Sequence, residues 1–172
     1  MQKPFRMDNS TIFLSIIILV AGFIVYIFFW QRKTNVSVET SIDNNTRQMR
    51  LQAYERLTLL VDRIALQNLI ARLAQSEFSA REMQMLLTQN IRQEFDYNIT
   101  QQIYVSADAW TAVKNLKDQN MLVVNQFANS LPANATAMDL NKLLLEYLMN
   151  DAEGSLHDKV SEVLSFEAKK LL

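Results

Sequence analysis

The sequence predicts an all-α protein, with one N-terminal transmembrane helix followed by a soluble bundle of about five helices. Three observations predict it. Residues 11–30 (TIFLSIIILVAGFIVYIFFW) carry no charge, and at about 1.5 Å per residue such a helix covers roughly the 30 Å of a bilayer's hydrocarbon core. Glycine and proline occur only at Gly22, Gly154, Pro4 and Pro132, too sparsely for the tight turns that strands require. Beyond residue 45 the apolar side chains recur at helical spacing behind capping residues.

The chain opens with a short head, 1–10, followed by the expected anchor, 11–33. The apolar run is longer than that of a cleavable signal and ends in aromatic and basic residues rather than a small-residue cleavage site. Tyr26 and Trp30 suit the headgroup level, and Arg32 and Lys33 can reach lipid phosphates, so these four form the expected membrane interface. Basic residues near the C-terminal side of the run (Arg32, Lys33, Arg47, Arg50) outnumber those on the other side (Lys3, Arg6). That bias predicts a single pass with the soluble domain in the cytoplasm. Residues 34–45, polar and rich in Ser, Thr and Asn, read as a linker, and 46–172 as the bundle.

The first bundle helix is expected over about Thr46 to Gln75. Its apolar residues fall on two opposite stripes at 100° per residue: Leu57, Leu60, Val61, Ile64 and Ala71 on one, Leu59, Leu66, Ile70 and Leu73 on the other. A surface helix has one stripe. The second stripe is buried either inside its own domain or against another chain, and Leu66→Arg separates the two: unfolding in the first case, altered oligomer size in the second.

Ser79 and Glu82 form a Ser-x-x-Glu capping box that starts the next helix, with Met83, Leu86, Leu87, Ile91 and Phe95 on one face. The pattern weakens over 96–105 into a frayed end and a connection. Ser106 caps a third helix, with Ala109, Trp110, Val113, Leu116, Val123, Val124, Phe127 and Leu131 inward, and Pro132 marks its end. Thr136 caps a fourth, at about 137–150, burying Leu140, Leu143, Leu144, Tyr147 and Leu148; a fifth follows Gly154 at about 156–171 with Leu156, Val160, Val163, Leu164 and Leu171.

Chemistry is harder to find. The chain has no cysteine and one histidine, which leaves thiolate and multi-imidazole metal sites without ligands. The single glycine beyond the anchor disfavours phosphate-cradling loops. Acidic pairs such as Glu94/Asp96 are two residues apart and do not face each other on a helix. No catalytic, cofactor or metal residues are therefore assigned, and the protein is expected not to be an enzyme. The net charge of −1 conceals a gradient: seven basic residues face four acids over 32–72, whereas six lysines face ten acids from Asp96 onward. Neither half is basic enough for nucleic acid.

His157 supports an alternative, a phosphorelay module. Phosphotransfer domains place Lys three and Gly four residues after the histidine, however, and here Lys159 stands two on and Ser161 four on. Asn120 falls within the apolar stripe of the third helix, where a buried amide must find a partner and serves to fix packing register. Tyr97, Tyr104 and Trp110 form the densest polar-aromatic patch. Together with Leu59, Leu66, Ile70 and Leu73 they are the candidate interaction surface, and the expected partners are the lipid bilayer with either a second copy, as in a coiled coil, or other membrane-complex subunits.

The blocks Tyr54-Glu-Arg-Leu-Thr-Leu-Leu-Val-Asp-Arg63 and Asn98-Ile-Thr-Gln-Gln-Ile-Tyr-Val-Ser106, leading to Ala109-Trp110, resemble those of an uncharacterised family of small single-pass bacterial membrane proteins. The resemblance implies a bacterial setting, hence the inner membrane, and transfers no functional residue. The function expected is that of a membrane-anchored helical scaffold or accessory subunit, acting through protein contacts.

Overall fold

Two long antiparallel helices form the axis on which the other elements pack. The computed structural model describes residues 43–150 and 156–172; the expected head, anchor with Tyr26, Trp30, Arg32 and Lys33, and nearly all of the linker lie outside the described residues. Helix α1 covers 43–64. It is followed by α2 (Leu66–Leu73), α3 (Ala80–Tyr97), a 3₁₀ helix (Ile99–Ile103), α4 (Ala107–Ser130), α5 (Ala137–Met149) and α6 (Leu156–Lys169). The described part of the molecule is an all-α bundle, and none of its helices is long and apolar enough to cross a membrane. The chain divides into two units, Met1–Thr46 and Arg47–Leu172, the second of which holds the packed helices.

The axis is α3 and α4. Gln84 donates to Asn125 Oδ1 at 2.7 Å toward one end, and the rings of Phe95 and Trp110 lie 5.1 Å apart toward the other. Helices α2 and α5 pack on α3 and on each other, and α6 packs on α4. Leu57, Leu69, Met83, Ile91, Leu116, Leu140 and Leu164 are fully buried in a core drawn from α1 to α6 of the described residues.

Local chemistry sets the helix starts. Ser79 accepts from the Glu82 amide while the Glu82 carboxylate accepts from the Ser79 N–H, and Thr136 and Asp139 repeat the arrangement, so each box satisfies orphan donors that a helix N-terminus otherwise exposes. Ser106 caps α4 by accepting from Ala109. The starts of α3 and α5 are also joined by backbone: Ala80 N–H donates to Ala135 O at 2.9 Å and Ala137 N–H to Phe78 O at 2.8 Å, an antiparallel bridge centred on Ser79 and Thr136.

The expected first helix is broken in two. Ala65 has an extended conformation (φ −53°, ψ 123°) between α1 and α2, although neither Gly nor Pro is near. The two apolar stripes explain why. Positions 57 and 66 differ by nine residues, or 180° around a helix, so an unbroken helix cannot turn both toward the same core. With the break, Leu57, Leu60, Val61 and Ile64 of α1 and Leu66, Leu69 and Ile70 of α2 are all buried. Ala71, expected on the first stripe, is exposed as a result.

Breaking a helix strands carbonyls, and here side chains collect them. Asn68 Nδ2 donates to Asp62 O at 3.1 Å, Arg72 to Arg63 O at 3.3 Å, and Asn120 Nδ2, from α4, to Ile64 O at 2.7 Å. The buried amide in the α4 stripe thus ties the end of α1 to the bundle axis. Two other expectations are corrected at the surface. Tyr147 and Val163, read as inward, are more than a third exposed; Tyr147 lies at the bundle's edge with its ring 5.4 Å from that of Phe127.

Candidate interaction surface

The seven residues of the expected interaction surface are dispersed by the fold. Leu66 and Ile70 are only 4 % and 5 % exposed and Leu73 is partly buried against the same core, so α2 uses that stripe within its own chain. Leu59, on the same stripe but before the break, is 57 % exposed. Tyr97, the last residue of α3, is 77 % exposed. Tyr104 follows the 3₁₀ helix and is more than a third exposed, while Trp110 is partly buried against Phe95.

Two of the seven come together. Leu59 and Tyr97 line one groove between α1 and the end of α3, with a volume of about 260 Å³, shared with Arg56, Leu60, Arg63, Glu94 and Asn98. Within it the Arg63 guanidinium donates through Nε and Nη2 to Glu94 Oε1 at 2.7 and 2.6 Å. Glu94 is the more buried partner. Asn98 donates to Glu94 O at 2.9 Å, which fixes the backbone where α3 gives way to the 3₁₀ helix. The groove is therefore lined by the Arg63–Glu94 ion pair, two large exposed side chains, Leu59 and Tyr97, and a second guanidinium, Arg56.

Sequence alone missed Arg56, Arg63 and Glu94. Glu94 stands next-but-one to Asp96, a spacing without meaning on a helix, and its partner lies 31 positions away in another element. The fold also brings the two distinctive sequence blocks together. The Tyr54 hydroxyl, at the start of the first, accepts from the Ser106 N–H at the end of the second at 3.1 Å, and Lys117 Nζ lies 4.9 Å above the Phe95 ring that stacks on Trp110.

Two other concavities are chemically less open. A groove of about 440 Å³ is lined by Leu131, Pro132, Asn134, Asp139, Lys142 and Glu146. Asp139 is committed to the Thr136 cap, and hydrogen bonds from the Thr136 N–H and then its hydroxyl hold the carboxyl below its ordinary pKa; Lys142 lies 3.8 Å from Glu146. A crevice of only about 50 Å³ brings His157 near Asn120, Leu66 and Tyr147. The imidazole is about one-quarter exposed, with Nδ1 3.2 Å from Asp158 Oδ1.

No curated protein and no solved structure matches the chain. The model of a family of unknown function (DUF7935) matches residues 6–171, and the chain belongs to that family.

Proposed function

Taking membership of a family without an assigned activity as the premise, we propose that the protein is a membrane-anchored, non-catalytic helical scaffold or accessory subunit that acts through protein contacts. The observation that carries this reading is the Leu59–Tyr97 groove. Large apolar side chains stand in water beside the guanidinium of Arg56 and the Arg63–Glu94 ion pair. Exposed aromatic and arginine side chains around a preformed groove are the residue types that dominate protein interfaces. The uncharged run 11–30 supports the anchor, and the basic bias after it supports a cytoplasmic bundle at a bacterial inner membrane.

The anchor is tested by alkaline carbonate washing of membranes, which leaves the full-length chain in the pellet if the run is embedded in lipid and releases it if not. Protease access on sealed vesicles reports the side. Detergent extraction with cross-linking then tests the contacts: partner chains are recovered with the wild type and lost with Tyr97→Ala, while the melting temperature stays unchanged. Recovery of a lone monomer would overturn the scaffold reading.

A further inference from the structure

We propose that the connector from the end of α3 through the 3₁₀ helix, residues 97–104, is a lipid contact: its exposed isoleucine and tyrosine side chains enter the headgroup layer of the bilayer that holds the anchor. The proposal rests on the anchor arm of the function proposed above, and not on the groove that carries the protein contacts.

The connector is apolar where it meets water. Ile99 is 43 % and Ile103 73 % exposed, with Tyr104 more than a third exposed after them. From Tyr97 to Ala107 the sequence YNITQQIYVSA has no charged residue, and Asp96 and Asp108 flank the run without interrupting it. Its backbone is largely self-satisfied: the Gln101 amide donates to Asn98 O and the Tyr104 amide to Gln101 O, each at 3.0 Å. The polar side chains of Asn98 and Gln101 are buried. The segment therefore leaves water without stripping many polar groups of their partners. Isoleucine supplies hydrocarbon to bury, while tyrosine joins an apolar ring to a wet hydroxyl, the combination that settles at membrane–water interfaces.

Its place in the fold points to lipid as the occupant. The Ser106 N–H, just after the connector, donates to the Tyr54 hydroxyl on the first half of α1. About two turns nearer the start of that helix, Arg47 Nη2 donates to Leu172 O at 3.1 Å, which brings the end of α6 to the same side. Arg47, Arg50, Lys169 and Lys170 are exposed there, and cations beside an apolar patch suit an anionic leaflet. The chain between Lys33 and the start of α1 at residue 43 reaches roughly 35 Å when extended. From residue 43 to Tyr54 the helix rises only about 16 Å. A tether of that length lets the connector side of the bundle come down onto the surface, whereas α4 carries the loop at 131–136 to its far end, roughly 36 Å away.

The chain has no cysteine, so a nitroxide on Thr100→Cys reports the connector, and one on Asn134→Cys the far end; both positions are exposed. The full-length chain is reconstituted in nanodiscs of phosphatidylethanolamine and phosphatidylglycerol, one chain per disc, and collisions with oxygen and with a nickel chelate are measured. At residue 100 the ratio of oxygen to nickel collisions is expected to exceed that at residue 134 several-fold. Ile99→Asp with Ile103→Asp is expected to return the residue 100 label to the value at 134; Ile103→Asp alone is the second variant should the pair lower the melting temperature. Equal ratios at the two positions in the wild type overturn the contact. So does nickel exclusion without oxygen gain, which reports cover by protein, and so does a ratio that the aspartates leave unchanged. Retention of the chain after carbonate washing with a wet label at residue 100 overturns the connector contact alone, whereas release by carbonate overturns the anchor on which it rests. Neither isoleucine lines the Leu59–Tyr97 groove, so partner capture is read independently.

Discussion

The two ends of the α3–α4 pair both carry capped helix starts and some exposed apolar side chains, but they differ in how the neighbouring elements are joined. At the Ser79 end the starts of α3 and α5 each carry a capping box and are joined by a backbone bridge, with α2 and α5 packed over α3. At the Tyr97 end the connection is a 3₁₀ helix, and Tyr97, Ile99, Ile103 and Tyr104 remain exposed. Polar groups satisfied locally cost little to hold in water, whereas exposed apolar area opposes solubility unless something covers it. The difference teaches that backbone pairing ties two helix starts together at the Ser79 end, whereas at the Tyr97 end a run of apolar side chains over 97–104 is left in water.

The contrast can be broken most severely from within the Ser79 half. Leu66→Arg replaces a buried side chain with an unpaired charge, expected to cost about 3–5 kcal/mol, a large share of the 5–15 kcal/mol typical of a domain. Thermal melting by circular dichroism should show loss of the cooperative transition, and a folded protein of altered oligomer size would instead place Leu66 at an interface. Next in size, Asn120→Ala leaves Ile64 O buried without its donor, an expected cost of about 1–3 kcal/mol in chemical denaturation.

Smaller still is the cap. Ser79→Ala is expected to cost about 1 kcal/mol, read from the same melts. The cap also carries a pH signature: hydrogen bonds from the Ser79 N–H, then from its hydroxyl, hold the Glu82 carboxyl below its ordinary pKa. A carboxyl depressed in the folded state contributes stability above its unfolded pKa and loses it as pH falls through the depressed value. Carbonyl NMR of Glu82 should therefore titrate below an ordinary glutamate in the wild type and move only part of the way back in Ser79→Ala, which loses the hydroxyl donor but keeps the backbone N–H. Smallest for stability is Tyr97→Ala, within about 0.5 kcal/mol of wild type, yet it should have the larger effect on partner recovery. A large stability loss there would erase the distinction between the two ends.

What was legible in the sequence follows the range of the interaction. Ser79–Glu82, Ser106 and Thr136 act on amides within three residues, and each cap stands where its sequence pattern places it. The α3 face of Met83, Leu87, Ile91 and Phe95 is buried as its periodicity requires. The break at Ala65 was not legible. Its cause is the demand that two opposite stripes reach one core, and its stabilising donor from α4 lies 56 positions away from Ile64. For the same reason the expected interaction surface was partly legible: the exposure of Leu59 and the burial of Leu66 differ only because the chain bends between them. The Arg63–Glu94 ion pair of the groove needed the packing of α1 on α3, which no spacing within either helix records.

The bridge between Phe78–Ala80 and Ala135–Ala137 has a consequence for hydrogen exchange. First-turn amides of a helix lack intrahelical acceptors and ordinarily exchange fast with solvent. Here the Ala80 and Ala137 amides are held by carbonyls of the other strand of the bridge, and both residues are buried. Deuterium uptake at these two positions should be as slow as in the helix interiors, so the stretches leading into α3 and α5 open only together.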